Sequence, residues 1–285
     1  MVKFRNQGGL SGNLEDRRGM GAKGGVAVGG GIAGLIVVVL MQLLGGGGGG
    51  GSPDITDIFS QMQMGGQGSS DTVDPADEPL VEEMSAALDD IQGFWATDDG
   101  LGSGYDDATL VLFTGGVATE GCGNAPSSVG PFYCPVDQNA YIDLSFFKEL
   151  DSRYGAPGDF ARVYVLAHEL GHHVQNLVGT NESVRQQQGA EPSAQNELSV
   201  RLELQADCYA GVWGSSAEER GLIEPGDVEE GLAAAAAVGD DALGAGSPES
   251  WTHGSSESRM SWFQVGYDSG DPEACDTFNV PASQL

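Results

Sequence analysis

Three of the chain's four histidines fall in the stretch AHELGHHVQ (167–175), and one backbone conformation lets two of them act together. On an α-helix, residues four apart project from the same face, one turn along. His168 and His172 meet that condition, and Glu169 flanks the same face. His173 lies about 140° around the helix from His168, at ~100° per residue, and does not join them. The stretch therefore demands a long helix. Val163, Leu166, Leu170, Val174 and Leu177 give that helix an apolar stripe to bury.

The spacing is the H-E-x-x-H pattern, in which two imidazoles hold zinc and the glutamate takes a proton from water. A catalytic zinc site needs a third protein ligand and an open position. A third histidine six residues after His172 is absent, because Val178 stands there. The stretch SVRLELQADCYAGVW (199–213) offers Glu203 and Asp207, four apart in a second helical pattern. Glu203 is the expected metal ligand. Asp207 is expected to accept a hydrogen bond from a ligand imidazole, with His168 the preferred partner. The competing reading of this pair is a solvated acidic face, against which stand the apolar residues around it. His173 is expected to pack or to support the site from outside it.

The fourth histidine, His253, sits in THGSSESR, just before a helix start with Ser255 or Ser256 as cap. Hydrolysis of a peptide bond puts negative charge on the carbonyl oxygen, and His253 is the candidate catalytic residue to stabilise it. Arg259 or a tyrosine competes for that role, and a structural role in the turn is equally open. Tyr141 is expected to pack within a strand. The expected cofactor is Zn2+ and the expected substrate a peptide or protein, with Glu169 as general base. A non-catalytic, zinc-stabilised envelope module is the alternative; it would need the ligands but not Glu169. A protease embedded in lipid is disfavoured by Asp159, Arg162 and Gln175 around the motif.

Charge excludes another class. The formal net charge is −30 over 285 residues. Of the acidic residues only Glu15 and Asp16 precede residue 45, whereas Lys3, Arg5, Arg17, Arg18 and Lys23 all do. Such a surface repels nucleic-acid phosphates, so nucleic acid is not an expected partner. It suits an acidic exported protein or a salty environment.

Residues 24–44 (GGVAVGGGIAGLIVVVLMQLL) carry no charge and are long enough to cross a bilayer as a helix. The basic residues ahead of them predict an N-terminus inside and the rest outside. The expected organisation is a cytoplasmic tail (1–23), a single-pass anchor in the cell membrane (24–44), a glycine-rich flexible linker (45–77) and an extracytoplasmic domain (78–285). A cleaved signal peptide is the rival, but no small-x-small cleavage pattern follows the apolar run. Cys122, Cys134, Cys208 and Cys275 fit an oxidising compartment and allow three pairings. Cys122–Cys134 with Cys208–Cys275 is the pairing expected here.

Apolar spacing predicts helices over about 80–95, 160–177, 197–213 and 228–238, and a last one from Ser255 or Ser256. Asp159 is expected to cap the second. Strands are expected at 108–113 and from Ala140, with helical spacing from Ser145. The strand near Ala140–Asp143 is the one expected to hold a peptide by strand addition. The fold class is α+β, mostly helical with a small sheet.

Taken in order, GPFYCP, YIDLSFF, GAPGDFA, HELGHHVQ, LELQADCYAGVW, THGSSESR and SGDPEACDTF resemble the Putative neutral zinc metallopeptidase family of bacteria. The resemblance runs from about Glu78 to Phe278, and NLEDRRG before an apolar run is similar to that family's N-terminus. It implies a zincin-type fold, zinc held by His168, His172 and Glu203, and Glu169 as catalytic base. The later helical glutamate with aspartate four residues on resembles the glutamate-ligand zincins. The TH…R stretch is similar to membrane-associated members of that group.

Overall fold

The computed structural model describes residues 2–4, 9–19, 73–97 and 104–285. The expected anchor at 24–44 and nearly all of the expected linker lie outside these residues. Among the described residues no helix is long and apolar enough to cross a membrane.

The apolar stripes become helices. Helix α1 (Glu78–Trp95) starts with a proline in its first turn, where a missing N–H has no intrahelical partner to lose. It buries Val81, Met84, Leu88, Ile91 and Trp95. Helices α2 (Ser145–Ser152), α3 (Asp159–Leu177), α4 (Thr180–Ala190), α5 (Gln195–Glu219), α6 (Asp227–Ala237) and α7 (Ser256–Ser269) follow. Helix α3 is central, packed against α1, α5 and α6, and α7 lies along α5. Helix α4 escaped the sequence reading because its sequence, TNESVRQQQGA, buries only Val184 and Gln188. Two residues make no apolar stripe.

Asp159 is not the cap of α3. Gly158 occupies that position with a positive φ, and Asp159 is the first helical residue. Its carboxylate instead accepts the backbone N–H of Val2. Ser255 does cap α7, its hydroxyl accepting the N–H of Ser258 at 3.0 Å.

A four-stranded sheet covers one side of the helices in the order β1 (Leu14–Asp16), β2 (Thr109–Phe113), β6 (Asn139–Asp143), β5 (Phe132–Cys134). A separate two-stranded ribbon pairs β3 (Gly116–Ala118) with β4 (Asn124–Pro126). β1 and β2 run parallel, as do β2 and β6, while β5 is antiparallel to β6. The strand at Ala140–Asp143 is therefore an inner strand with both edges paired, and it cannot receive a peptide by strand addition. Among the described residues the free edge on that side belongs to β5.

β1 comes from residues expected to form a tail apart from the domain. Leu14 stands opposite Leu110 and Asp16 opposite Leu112. The residues around it are tied in as well: the N–H of Lys3 donates to Leu222 O, and that of Ser11 to the Ser85 hydroxyl at 2.7 Å.

Two disulfides staple the fold. Cys122–Cys134 joins the ribbon's turn to β5, and Cys208–Cys275 joins α5 to the C-terminal segment. This is the expected pairing.

Glycines set the distances between the helices that matter. A Cβ on Gly171 of α3 would stand 3.0 Å from the Ala206 carbonyl oxygen of α5. On α5 and α7, a Cβ on Gly211 would strike the Phe263 carbonyl, and one on Gly266 the Cys208 carbonyl. These close approaches bring α5 against α3 on one side and α7 on the other.

Candidate metal centre

Helix α3 carries His168 and His172 one turn apart, with their rings 4.8 Å apart between centroids. Helix α5, drawn in at Gly171, brings Glu203 up to both. Glu203 Oε2 lies 3.2 Å from His168 Nε2, and Oε1 lies 3.5 Å from His172 Nε2. One ligand atom from each of the three residues lies within 4.8 Å of the others, a spacing that could hold one metal ion. The three side chains are deeply placed but reach a cavity of about 300 Å³.

The far side of each imidazole is held. His168 Nδ1–H donates to Asp207 Oδ1 at 2.8 Å. His172 Nδ1–H donates to Gln175 Oε1 at 2.8 Å, and the amide of Gln175 donates in turn to Leu202 O and Gln205 Oε1 on α5. Both Nδ1 atoms are thereby protonated and both Nε2 atoms turn toward Glu203, the side on which a metal would replace any proton they carry. This is the tautomer a metal requires, fixed by the hydrogen bond on the other nitrogen. Two imidazole nitrogens and a carboxylate oxygen suit zinc.

Asp207 is fully buried and its charge is matched. Arg259 of α7 donates to it through Nε at 2.8 Å and Nη2 at 2.9 Å, and the Tyr164 hydroxyl donates at 2.5 Å. Burial alone would raise the Asp207 carboxyl, but Arg259 and His168 hold it below its ordinary value. Burial opposes protonation of His168 too, yet the Asp207 and Glu203 carboxylates lift its imidazole to about 9. Glu203 is held well below the usual carboxylate range against its burial, by His172, His168 and His253. Glu169 goes the other way: burial raises its carboxyl above the ordinary value. It lines the same cavity as His168, His172 and Glu203.

His253 also lines the cavity. Its Nδ1 faces Asp240 Oδ1 at 3.2 Å and Thr252 Oγ1 at 3.1 Å. Its Nε2 is buried and finds no hydrogen-bond partner among the described residues. Asp240 Oδ2 accepts the backbone N–H groups of Thr252, His253 and Gly254 at 2.8, 2.7 and 3.0 Å, fixing the turn that carries the ring.

Arg259, read from sequence as a competitor of His253 for the carbonyl oxygen, is committed instead to Asp207. His173 is fully buried and lies outside the ligand group. It donates through Nε2 to Asp106 O at 2.6 Å and accepts from the Tyr133 hydroxyl at 2.9 Å, which fastens β5 to α3. Burial lowers its basicity. Tyr141 is a packing residue, stacked on Phe132 with centroids 4.8 Å apart.

Tyr164, Gln175 and Asp240 were missed by the sequence reading. Tyr164 precedes His168 by four residues and Gln175 follows His172 by three, so helical spacing held a signal for both. Asp240 lies 13 residues from His253 in an irregular stretch, and no local pattern marks it.

The family described as "Putative neutral zinc metallopeptidase" matches residues 2–278. The chain is 43% identical over 282 residues to the uncharacterized protein YpfJ of Escherichia coli, covering 94% of this chain and 96% of that protein. It is 52% identical over 193 residues to the uncharacterized protein Rv2575 of Mycobacterium tuberculosis, covering 62% of this chain and 64% of that one. No solved structure matches.

Proposed function

The chain belongs to the Putative neutral zinc metallopeptidase family, a membership that implies Zn2+ and action on peptides, and from that premise we propose a zinc-dependent endopeptidase with Glu169 as its general base. One observation carries the reading: His168, His172, Glu203 and Glu169 all line a single cavity. His168, His172 and Glu203 would hold the ion and leave a coordination position open. Zinc bound there supplies Lewis-acid polarisation of the scissile carbonyl and a water acidified to near neutrality.

The chain's own residues do the rest. Glu169, its carboxyl raised by burial, takes the proton of the attacking water and passes it to the leaving amine. Asp207, itself oriented by Arg259 and Tyr164, keeps the His168 ring in its ligating tautomer. His253 turns its free Nε2 to the carbonyl oxygen as charge develops there. The peptide lies along the free edge of β5, whose Phe132 and Tyr133 line the cavity, and pairs with it as an added strand. The two disulfides support an extracytoplasmic location for the domain.

The test is Glu169→Ala, with zinc content and casein cleavage measured on the same preparation. Zinc should be retained and cleavage lost. A zinc-replete wild type that cleaves no peptide across salt and pH would replace this reading with a non-catalytic, zinc-stabilised module.

A further inference from the structure

The sequence assigns residues 1–23 to one side of a membrane and the domain to the other. The described residues place them together. Arg18 is 6% exposed, and its Nη2 lies 2.9 Å from Glu78 Oε1 at the start of α1 and 2.7 Å from Asp16 Oδ2. Residues 18 and 78 flank the apolar run and the glycine stretch, so the two sides of that run meet in one ion pair.

The other described residues of the N-terminal segment are equally committed. β1 supplies an edge to the sheet, with Arg17 N–H donating to Leu112 O and Leu110 N–H donating to Asn13 O. Three of the five basic residues that make a positive-inside signal are described, and each has an acidic partner: Lys3 with Glu224 at 2.5 Å, Arg17 with Glu15, Arg18 with Asp16 and Glu78. Charge that is neutralised by the domain does not hold a tail in the cytoplasm.

We propose that residues 2–18 and the metal-site domain occupy the same compartment, and that the apolar stretch 24–44 does not carry the chain across a bilayer. The geometry leaves little choice. A single crossing would separate Arg18 from Glu78 by a hydrocarbon layer of about 30 Å. Two crossings would restore the contact, but they need a second apolar span. Residues 45–72 hold a run of glycines and then Asp54, Asp57 and Asp71. Hydrocarbon does not admit polar, irregular backbone. An even number of crossings with one apolar stretch is zero. The apolar stretch contacts a membrane, where it does so, from the side on which the domain lies.

The test uses the full-length protein in bacterial cells and a membrane-impermeant maleimide. Leu10→Cys and Val178→Cys place single new thiols at positions 52% and 50% exposed, one in the N-terminal segment and one at the end of α3. The same variants labelled after detergent solubilisation give the maximum for each site. Both thiols should label in spheroplasts to the same fraction of that maximum. Labelling of neither also supports the shared compartment, and would move the domain indoors against the extracytoplasmic reading without touching its chemistry. Labelling of Val178→Cys with protection of Leu10→Cys, both reactive after solubilisation, would overturn the proposal in favour of a single-pass anchor. Arg18→Glu provides a second measurement. It should lower the thermal midpoint of the purified full chain, and a companion Glu78→Arg should restore part of the loss. No change from either would detach the N-terminal segment from the fold.

Discussion

Arg259 and Asp207 form an ion pair from which water is excluded, with Nε 2.8 Å from Oδ2 and Nη2 2.9 Å from Oδ1. The same Oδ1 accepts from His168 at 2.8 Å. A residue of α7 thus sets the orientation of a metal-binding imidazole on α3 through a carboxylate on α5. Removing one partner leaves a buried charge, which costs about 3–5 kcal/mol. Arg259→Leu should therefore lose much of the fold's stability, seen as a drop in denaturation midpoint. Asp207→Asn keeps the shape but weakens the hold on His168, and zinc affinity should fall by about 10- to 100-fold. Competition with a chelator of known affinity measures it. An unchanged affinity would leave Asp207 a purely structural group.

The metal-free protein should be sensitive to pH in a direction set by these groups. Asp207 is depressed below its unfolded value, so its contribution is present above about pH 4 and is lost as pH falls through the folded value. His168 is raised to about 9, so its contribution is complete below about pH 6.5 and is lost as pH rises through 9. Thermal midpoints of the apoprotein should therefore decline on both the acid and the alkaline side. His168→Gln should flatten the alkaline limb, and an alkaline limb that survives it would assign that limb to another group.

Asp240 and His253 make a separable pair. Loss of a donor to the developing oxyanion costs about 10²–10³-fold in kcat. His253→Ala should show a loss of that order with zinc content and KM little changed. Asp240→Asn should lower kcat less, with the same unchanged zinc content. A variant of either residue that loses zinc in proportion to activity would point to the metal rather than the carbonyl oxygen.

Gly171 admits α5 to α3. With a methyl group, the Ala206 carbonyl 3.0 Å away must yield, and overpacking of this kind costs about 1–3 kcal/mol. Gly171→Ala should weaken zinc binding as Glu203 is pushed back, and Gly171→Val should do so more. Equal zinc affinity in all three proteins would show that α5 can shift without moving its carboxylate.

The Cys208–Cys275 bridge adjoins Asp207 and closes a separation of 67 residues. Chain-entropy estimates give about 4 kcal/mol for a loop of this size. The double replacement by serine should lower the denaturation midpoint accordingly, in urea and at constant zinc. A midpoint equal to that of the wild type would show that the C-terminal segment is held by its side-chain hydrogen bonds alone.

Much of the architecture was legible because it repeats at short range. The pattern over 160–177 and the pairs His168/His172 and Glu203/Asp207 are consequences of 3.6 residues per turn, which any helix imposes on its sequence. The chain itself thus determined two helices, the face each presents, and which residue types could meet a metal. It also determined the acidic charge and an uncharged apolar stretch at 24–44. Other features depend on contacts between distant residues and leave no local trace. Arg259 finds Asp207 from 52 positions away, and Asp240 reaches His253 across an irregular turn. Three residues of a charged leader become a strand only because β2 offers them an edge. Tertiary packing alone decided these matters. A side chain's spacing fixes the direction it faces, whereas its partner is whatever the fold brings within hydrogen-bonding distance.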